Sequence, residues 1–412
     1  MAKRTGRNEE KMIKIAVLGY GTVGSGVVEV LQTNEESIAK RAGEEIEVKY
    51  VLDLRDFPGD PIQEKVVHDY DIIAKDEEVK IVVETMGGTK PAYDFVKTAL
   101  LNGKSVCTSN KELVAVYGAE LLEIAKEKNV NFLFEASVGG GIPIIRPLYQ
   151  CLTADEIEKI NGILNGTTNY ILTKMAKEGS EFADVLKEAQ ELGYAEKDPT
   201  NDVEGYDACR KIAILTSLAY GKQVDYEDIY TEGITKITAE DFKYAEKLEA
   251  AIKIFGSSVQ EGDNVYAMVS PQMINSEHPL YSVNDVFNAI SIKGNMLGDV
   301  MFYGKGAGKL PTASAVVSDV VDAVKHMGVN IMITWNEEKL ALAPIEDMQT
   351  RFFVRLPKDD KEKAEKTFAG LTPVDAGISE EFAFVTTKMK EKEFSEKIAG
   401  FENMITRIRV DF

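Results

Sequence analysis

The stretch Ile13-Lys14-Ile15-Ala16-Val17-Leu18-Gly19-Tyr20-Gly21-Thr22-Val23-Gly24 decides the fold class of this 412-residue chain. A short, largely β-branched apolar run meets Gly-x-Gly-x-x-Gly and passes into Val27, Val28 and Leu31 at helical spacing. In a strand-turn-helix of this kind Gly19 permits the tight turn, Gly21 lets the backbone approach a pyrophosphate, and Gly24 lets the helix pack on the strand. The first helical turn, with Thr22 and Val23 in it, offers N–H donors to phosphate oxygens. A dinucleotide is the ligand this arrangement predicts.

Working outward, apolar runs at 48–52, 80–84, 105–107 and 131–134 alternate with helical patterns at 92–101 and 120–128. That rhythm predicts an α/β, Rossmann-type, doubly wound parallel sheet. We expect a dinucleotide-binding domain over 1–145, completed by about 300–345, where a small-residue helix at 312–324 packs back on it. A second α/β domain is expected over 146–299, with helices at 182–192 and 207–219 and a strand at 264–269. The last segment, 350–412, reads strand-helix-strand-helix-strand and predicts a small ferredoxin-like α+β domain.

Composition narrows the function. Hydrophobic residues are 44% and charged residues 28% of the chain, as in ordinary globular proteins. The net charge of −20 repels nucleic-acid backbones and anionic lipid surfaces, so neither is an expected partner. Three dispersed cysteines, Cys107, Cys151 and Cys209, suggest no disulfide framework and fit the reducing cytoplasm. Met1 to Lys11 is polar and reads as neither a leader nor a membrane span, and the three separated histidines leave a transition metal without ligands.

Chemistry-bearing residues follow the strands. Asp53 closes the second strand and would bond ribose hydroxyls, favouring NAD, whereas Arg55 would meet a 2′-phosphate, favouring NADP. Lys111, after the strand at 105–107, falls at the carboxyl edge of the sheet, where ligands of such folds bind. Glu135 precedes Gly139-Gly140-Gly141, placing one carboxylate beside several carbonyls, an oxygen set suited to a hard cation or else a hinge. If a helix begins near Asp202 or Val203, Asp207 and Lys211 share one face at i, i+4, and a lysine so held could protonate a carbonyl oxygen as hydride reaches the carbon.

GYGTVG, TSNKE, EASVGGGIPII, GILNGTTNYIL, LGYAEKDPTNDVEGYDACRK and GKGAGKLPTASAVVSDV occur in order over about residues 13–320, and this series resembles the homoserine dehydrogenases. The resemblance implies NADP- or NAD-dependent, reversible reduction of L-aspartate 4-semialdehyde to L-homoserine, toward threonine, methionine and isoleucine. It implies Lys211 as proton donor and Lys111 as the lysine that orients the carbonyl oxygen. Glu196, Asp202, Asp207, Gly166 and Thr167 become substrate residues. Thr85, Lys111, Gly193 and Gly306 join Gly19, Gly21, Thr22, Val23, Gly24, Asp53 and Arg55 as cofactor residues.

The same resemblance makes Glu135, with the carbonyls of Val138, Gly140 and Ile142, a monovalent cation site, usually assigned sodium. It makes the middle domain a dimerisation surface and the last domain ACT-like, regulatory or oligomerising. Two departures stand out. Val51-Leu52-Asp53-Leu54 lacks the basic residue often found before the aspartate, which weakens the case for NADP. Pro357-Lys358-Asp359-Asp360-Lys361 replaces the Pro-Gly-Val-Leu turn expected after the first strand of an ACT domain. A rival dehydrogenase acting on a 2-imino acid would not predict the 196–211 block, and a dinucleotide- and amino-acid-binding regulator without turnover would need neither lysine.

Overall fold

The structure, a computed structural model, describes residues 12–412; the reading of Met1 to Lys11 lies outside the described residues. The chain divides into two compact units. Of the described residues, unit one comprises 12–151, Ser217–Gln223 and Ala307–Lys339, and unit two Leu152–Thr216, Val224–Gly306 and Leu340–Phe412.

Unit one is built on strands β1 (Ile13–Leu18), β2 (Ile46–Leu52), β3 (Val66–Val67), β4 (Val79–Glu84), β5 (Ser105–Thr108) and β6 (Phe132–Leu133), all parallel, in the order β3-β2-β1-β4-β5-β6. This is the order of dinucleotide-binding doubly wound sheets. Helices α1 (Thr22–Thr33), α2 (Glu35–Ala42), α3 (Tyr70–Lys75), α4 (Ala92–Leu101) and α5 (Lys111–Glu127) connect the strands. The helix Lys309–Lys325 lies in the same unit, and its Ala313, Val316 and Val320 share one core with Val17, Val27 and Leu31. Small residues along that helix let it approach closely: a Cβ at Gly26 would lie 3.0 Å from the Ala313 Cβ.

Two sequence expectations are corrected in this unit. The helix expected over 120–128 starts at Lys111, because the Asn110 side chain caps it by accepting from the Leu113 N–H at 3.1 Å. The last strand is only Phe132–Leu133, since Glu135–Ser137 turns at once into a 3₁₀ segment.

Unit two contains β7 (Ile157–Ile163), α6 (Gly166–Glu178), α7 (Phe182–Glu191), α8 (Tyr206–Tyr220), α9 (Ala239–Lys247), β8 (Ala250–Glu261), β9 (Asn264–Asn275), β10 (Phe287–Gly294) and β11 (Gly298–Lys305); the end of α8 passes into unit one. The strand expected over 264–269 runs on to Asn275, paired with β8 along its whole length. Its carboxyl-terminal module is β12 (Gln349–Pro357), α10 (Lys361–Thr367), β13 (Thr372–Val374), β14 (Glu381–Val385), α11 (Glu391–Ile398) and β15 (Thr406–Asp411). The order βαββαβ corrects the five-element expectation. The missed strand is three residues long with Pro373 at its centre, and it sits at the sheet edge where proline is tolerated.

One sheet runs through the unit in the order β11-β10-β7-β8-β9-β15-β12-β14-β13, so the module joins edge to edge through the parallel β9–β15 pair. Within the module the spatial order β15-β12-β14-β13 is that of a ferredoxin-like sheet. Ion pairs made by two buried arginines secure the joint: Arg355 Nη1 meets Asp241 Oδ1 of α9 at 2.7 Å, and Arg409 Nη1 meets the half-buried Glu232 Oε2 at 3.0 Å. Among the described residues no helix is long and apolar enough to cross a membrane.

Candidate active site

In unit one the glycine loop takes the shape its sequence predicts. Gly19 adopts φ +89°, and a Cβ at Gly24 would lie 1.9 Å from the Gly19 carbonyl oxygen, so any side chain there collides with backbone. A Cβ at Gly21 would meet nothing within 4 Å, leaving open space at the start of α1. Thr22 and Val23 form the first turn of α1. Thr85 Oγ1 donates to the carbonyls of Leu18 (3.0 Å) and Gly19 (2.9 Å), clamping the loop. Gly19, Gly21, Asp53, Arg55, Thr85 and neighbouring side chains line a cleft of about 530 Å³. An open, positive helix end beside a carboxylate-bearing cleft fits a dinucleotide.

Asp53 and Arg55, alternatives in the sequence, are partners in the structure. Arg55 Nε donates to Asp53 Oδ1 at 2.9 Å and Nη2 to Oδ2 at 3.0 Å, while the Tyr20 N–H donates to Oδ2 at 2.8 Å. The Arg55 guanidinium holds the Asp53 carboxyl far below the usual carboxylate range. The guanidinium itself remains exposed.

The glycine-rich stretch near 140 is also tightly wound. Glu135 is buried, and its carboxylate accepts from the N–H groups of Ile144 (2.6 Å), Ile145 (2.8 Å) and Arg146 (2.8 Å). Its own N–H donates to Asp319 Oδ2 at 2.8 Å, and burial pushes the Asp319 carboxyl well up. Gly140 has φ +57°, the Ile142 N–H donates to the Gly139 carbonyl at 2.9 Å, and Val138 and Ile142 are buried. Among the described residues no cluster of three or more His, Cys, Asp or Glu side chains could hold a metal.

Unit two holds the densest polar cluster. Asp207 and Lys211 lie one turn apart on α8, both buried, with Lys211 Nζ 2.7 Å from Asp207 Oδ2 and donating to the Leu164 carbonyl at 2.8 Å. The helix expected over 207–219 runs from Tyr206 to Tyr220, and the alternative start near Asp202 or Val203 is not taken. Thr200–Val203 is a separate short turn, and Gly205 at φ +84° breaks the chain before Tyr206. Asn165, which the sequence reading passed over as a site residue, joins the pieces: its Nδ2 donates to Asp202 Oδ1 (2.7 Å) and Asp207 Oδ2 (2.9 Å) while its Oδ1 caps α6. Its sequence signal was an asparagine directly before Gly166 and a helix. Glu196 is exposed, and the cluster's hydrogen bonds leave it out.

The other glycines of unit two converge. Thr167 Oγ1 donates to the Tyr194 carbonyl at 2.6 Å, tying α6 to the turn at Gly193, which has φ +75°. A Cβ at Gly166 would lie 2.9 Å from the Val286 carbonyl oxygen, and one at Gly306 would lie 1.9 Å from Asn288 Nδ2. Asn288, unpredicted from sequence, is buried between these glycines, and its Oδ1 has no protein hydrogen-bond partner. Lys111, in unit one, is half-buried as the first residue of α5.

A doubly wound nucleotide fold and a buried lysine-aspartate pair are the parts a pyridine-nucleotide-dependent oxidoreductase needs, and the relatives of this chain are of that class. Residues 19–135 match the family model described as homoserine dehydrogenase, NAD binding domain, and residues 143–321 match the model described as homoserine dehydrogenase. A homoserine dehydrogenase of Bacillus subtilis is 42% identical over 422 residues, covering 96% of each chain. A crystal structure of a homoserine dehydrogenase from Thiobacillus denitrificans superposes with TM-score 0.89 at 36% identity, over 97% of this chain and 98% of that one. A hyperthermophilic archaeal homoserine dehydrogenase in complex with NADPH gives TM-score 0.65 at 30% identity, covering 76% of this chain and 98% of that one. The chain belongs to the homoserine dehydrogenase family.

Proposed function

We propose that this protein reversibly reduces L-aspartate 4-semialdehyde to L-homoserine with NADP or NAD, and that Lys211 carries the proton. The Asp207–Lys211–Leu164 arrangement is the observation that supports this most. The contacts to Asp207 and the Leu164 carbonyl hold the Lys211 ammonium at a fixed place beside the end of β7. When bound, the nicotinamide supplies hydride to the aldehyde carbon, or takes it back in the oxidising direction. Lys211 Nζ then gives its proton to the aldehyde oxygen, and the neutral amine recovers it from the alcohol in reverse. Lys111 orients that oxygen and spreads its developing negative charge. Asp202 and Glu196 face the substrate ammonium, a role for which carboxylates are suited.

In this reading unit one binds the dinucleotide with Gly19, Gly21, Thr22, Val23, Gly24 and Thr85. Gly193 and Gly306 contribute from unit two. The exposed Arg55 guanidinium supports acceptance of a 2′-phosphate, and Asp53 supports the plain ribose. A monovalent cation, sodium, fits Glu135: a carboxylate offers about four lone-pair sites, and three N–H donors are placed on it. Val138, Gly140 and Ile142 would complete its oxygen set. The protein acts as a homodimer, a reading supported by exposed Met296, Leu297, Met301 and Tyr303 around the edge hairpin β10–β11. Three free cysteines, two of them buried, fit the cytoplasm. The terminal module is an ACT-like accessory.

The test follows reduced nicotinamide by absorbance as purified protein oxidises L-homoserine with each cofactor, with and without threonine. Cofactor reduction is expected. No reduction with either cofactor, although both bind, would overturn the reading.

A further inference from the structure

Strand β4 ends at Glu84, whose side chain is fully buried at the carboxyl edge of the parallel sheet. Burial pushes its carboxyl above the usual range. Its oxygens are taken up by the loop after β4 and by the end of β5. The Met86 N–H donates to Oε1 at 2.7 Å, and the Thr108 hydroxyl donates to Oε2 at 2.6 Å. Thr108 Oγ1 in turn accepts from the Asn110 N–H at 2.9 Å. Asn110 Nδ2 donates to the Gly88 carbonyl at 2.6 Å, and Asn110 Oδ1 caps α5, whose first residue is Lys111. On the other flank Thr85, the residue after Glu84, clamps the glycine loop through Leu18 and Gly19.

We propose that Glu84 is a positioning residue: through Thr108 and Asn110 it fixes the first turn of α5 and hence the direction of Lys111, and through Met86 it fixes the loop that follows Thr85. One carboxylate thereby ties the loop after β4 to the carbonyl-orienting lysine, while the glycine loop keeps its own clamp from Thr85. The physical reason is that a buried carboxylate must have its lone pairs met, so loops that supply the donors lose their freedom. Gly87 and Gly88, at φ +82° and +69°, give the first loop the turn it needs to deliver the Met86 N–H. This inference rests on the reading of Lys111 as the lysine that orients the substrate oxygen.

The experiment is a double-mutant cycle on the full-length protein, reading kcat and KM for L-homoserine and the dissociation constant of the reduced cofactor. Glu84→Gln keeps the volume but replaces one acceptor by a donor. It should lower kcat by about tenfold, the scale of a small misplacement, while cofactor affinity stays within about twofold. Placed on Lys111→Ala it should cost less than about twofold more, because the group it positions is gone. Thr108→Val should repeat that pattern, and Thr108→Ser, which keeps the hydroxyl, should restore most of the loss. Multiplicative losses in the Lys111→Ala background would overturn the proposal. Wild-type turnover in Lys111→Ala alone would overturn the reading of Lys111 before the cycle is built. Should Glu84→Gln fail to fold, the Thr108 variants carry the same cycle.

Discussion

The glycine loop of unit one and the lysine cluster of unit two are made in opposite ways. The loop works by missing atoms: Gly24 has no Cβ because backbone fills the place, and Gly21 leaves its space open. The cluster works by added atoms: Lys211, Asp207, Asp202 and Asn165 fill the interior and satisfy one another. A site shaped by absence breaks when something is added, and a site built of paired charges breaks when one member is removed.

Adding atoms should have the larger effect. Gly24→Ala would press a methyl onto the Gly19 carbonyl and within 2.8 Å of Thr85 Oγ1, so cofactor binding should fall below detection by fluorescence titration. Binding within a fewfold of wild type would show that the loop can yield. Removing atoms comes next. Asp207→Ala takes the carboxylate away from a buried ammonium and should cost about 3 kcal/mol of stability, read as a lower denaturant midpoint. A smaller cost would mean that Leu164 and the remaining neighbours suffice.

Arg55→Ala probes the surface-exposed edge of the glycine region. A charged hydrogen bond to phosphate is worth about 1.5–3 kcal/mol, so NADP affinity should fall by roughly tenfold or more and NAD affinity change far less. Equal losses would assign Arg55 to holding Asp53 alone.

The effect that is smallest per step of its titration concerns a charge in unit two that, among the described residues, has no acidic partner at hydrogen-bond distance. Lys253 is buried and donates to Asn169 Oδ1, the Val283 carbonyl and Asn284 Oδ1, and burial pulls it down to about 8, partly offset by Asp285. Between that value and the ordinary 10.5 the unfolded chain holds the proton that the folded chain has lost. Stability from this group is therefore full above the unfolded value and is lost as pH falls through about 8. Relative to Lys253→Met, wild type should gain on the order of 1 kcal/mol per pH unit across that window. A difference that does not vary with pH would mean that Lys253 titrates normally.

What the sequence revealed follows the same division. The strands and α1 were legible because their periodicity and the glycine spacing are local, and the Asp207–Lys211 pair because one helical turn separates its members. Asn165 reaches Asp207 across 42 residues and Glu84 reaches Thr108 across 24, and no local pattern announces either contact. The break at Gly205 that separates α8 from the turn at Thr200–Val203 was not legible, since a glycine inside a polar run gives no sign of positive φ. The pairing of Asp53 with Arg55 was not announced by strand periodicity, which puts residues i and i+2 on one face only inside a strand: β2 ends at Leu52, and the contact is made in the bend that follows. The edge strand at Thr372–Val374 was lost to its proline.

In the proposed mechanism Lys211 moves the proton and takes no part in holding the nucleotide. The most direct measurement is Lys211→Ala, with kcat for L-homoserine and cofactor affinity determined on the same preparation. The account predicts a fall in kcat of about 10²-fold or more with cofactor affinity unchanged. Turnover at the wild-type rate, or a loss confined to cofactor binding, would contradict it.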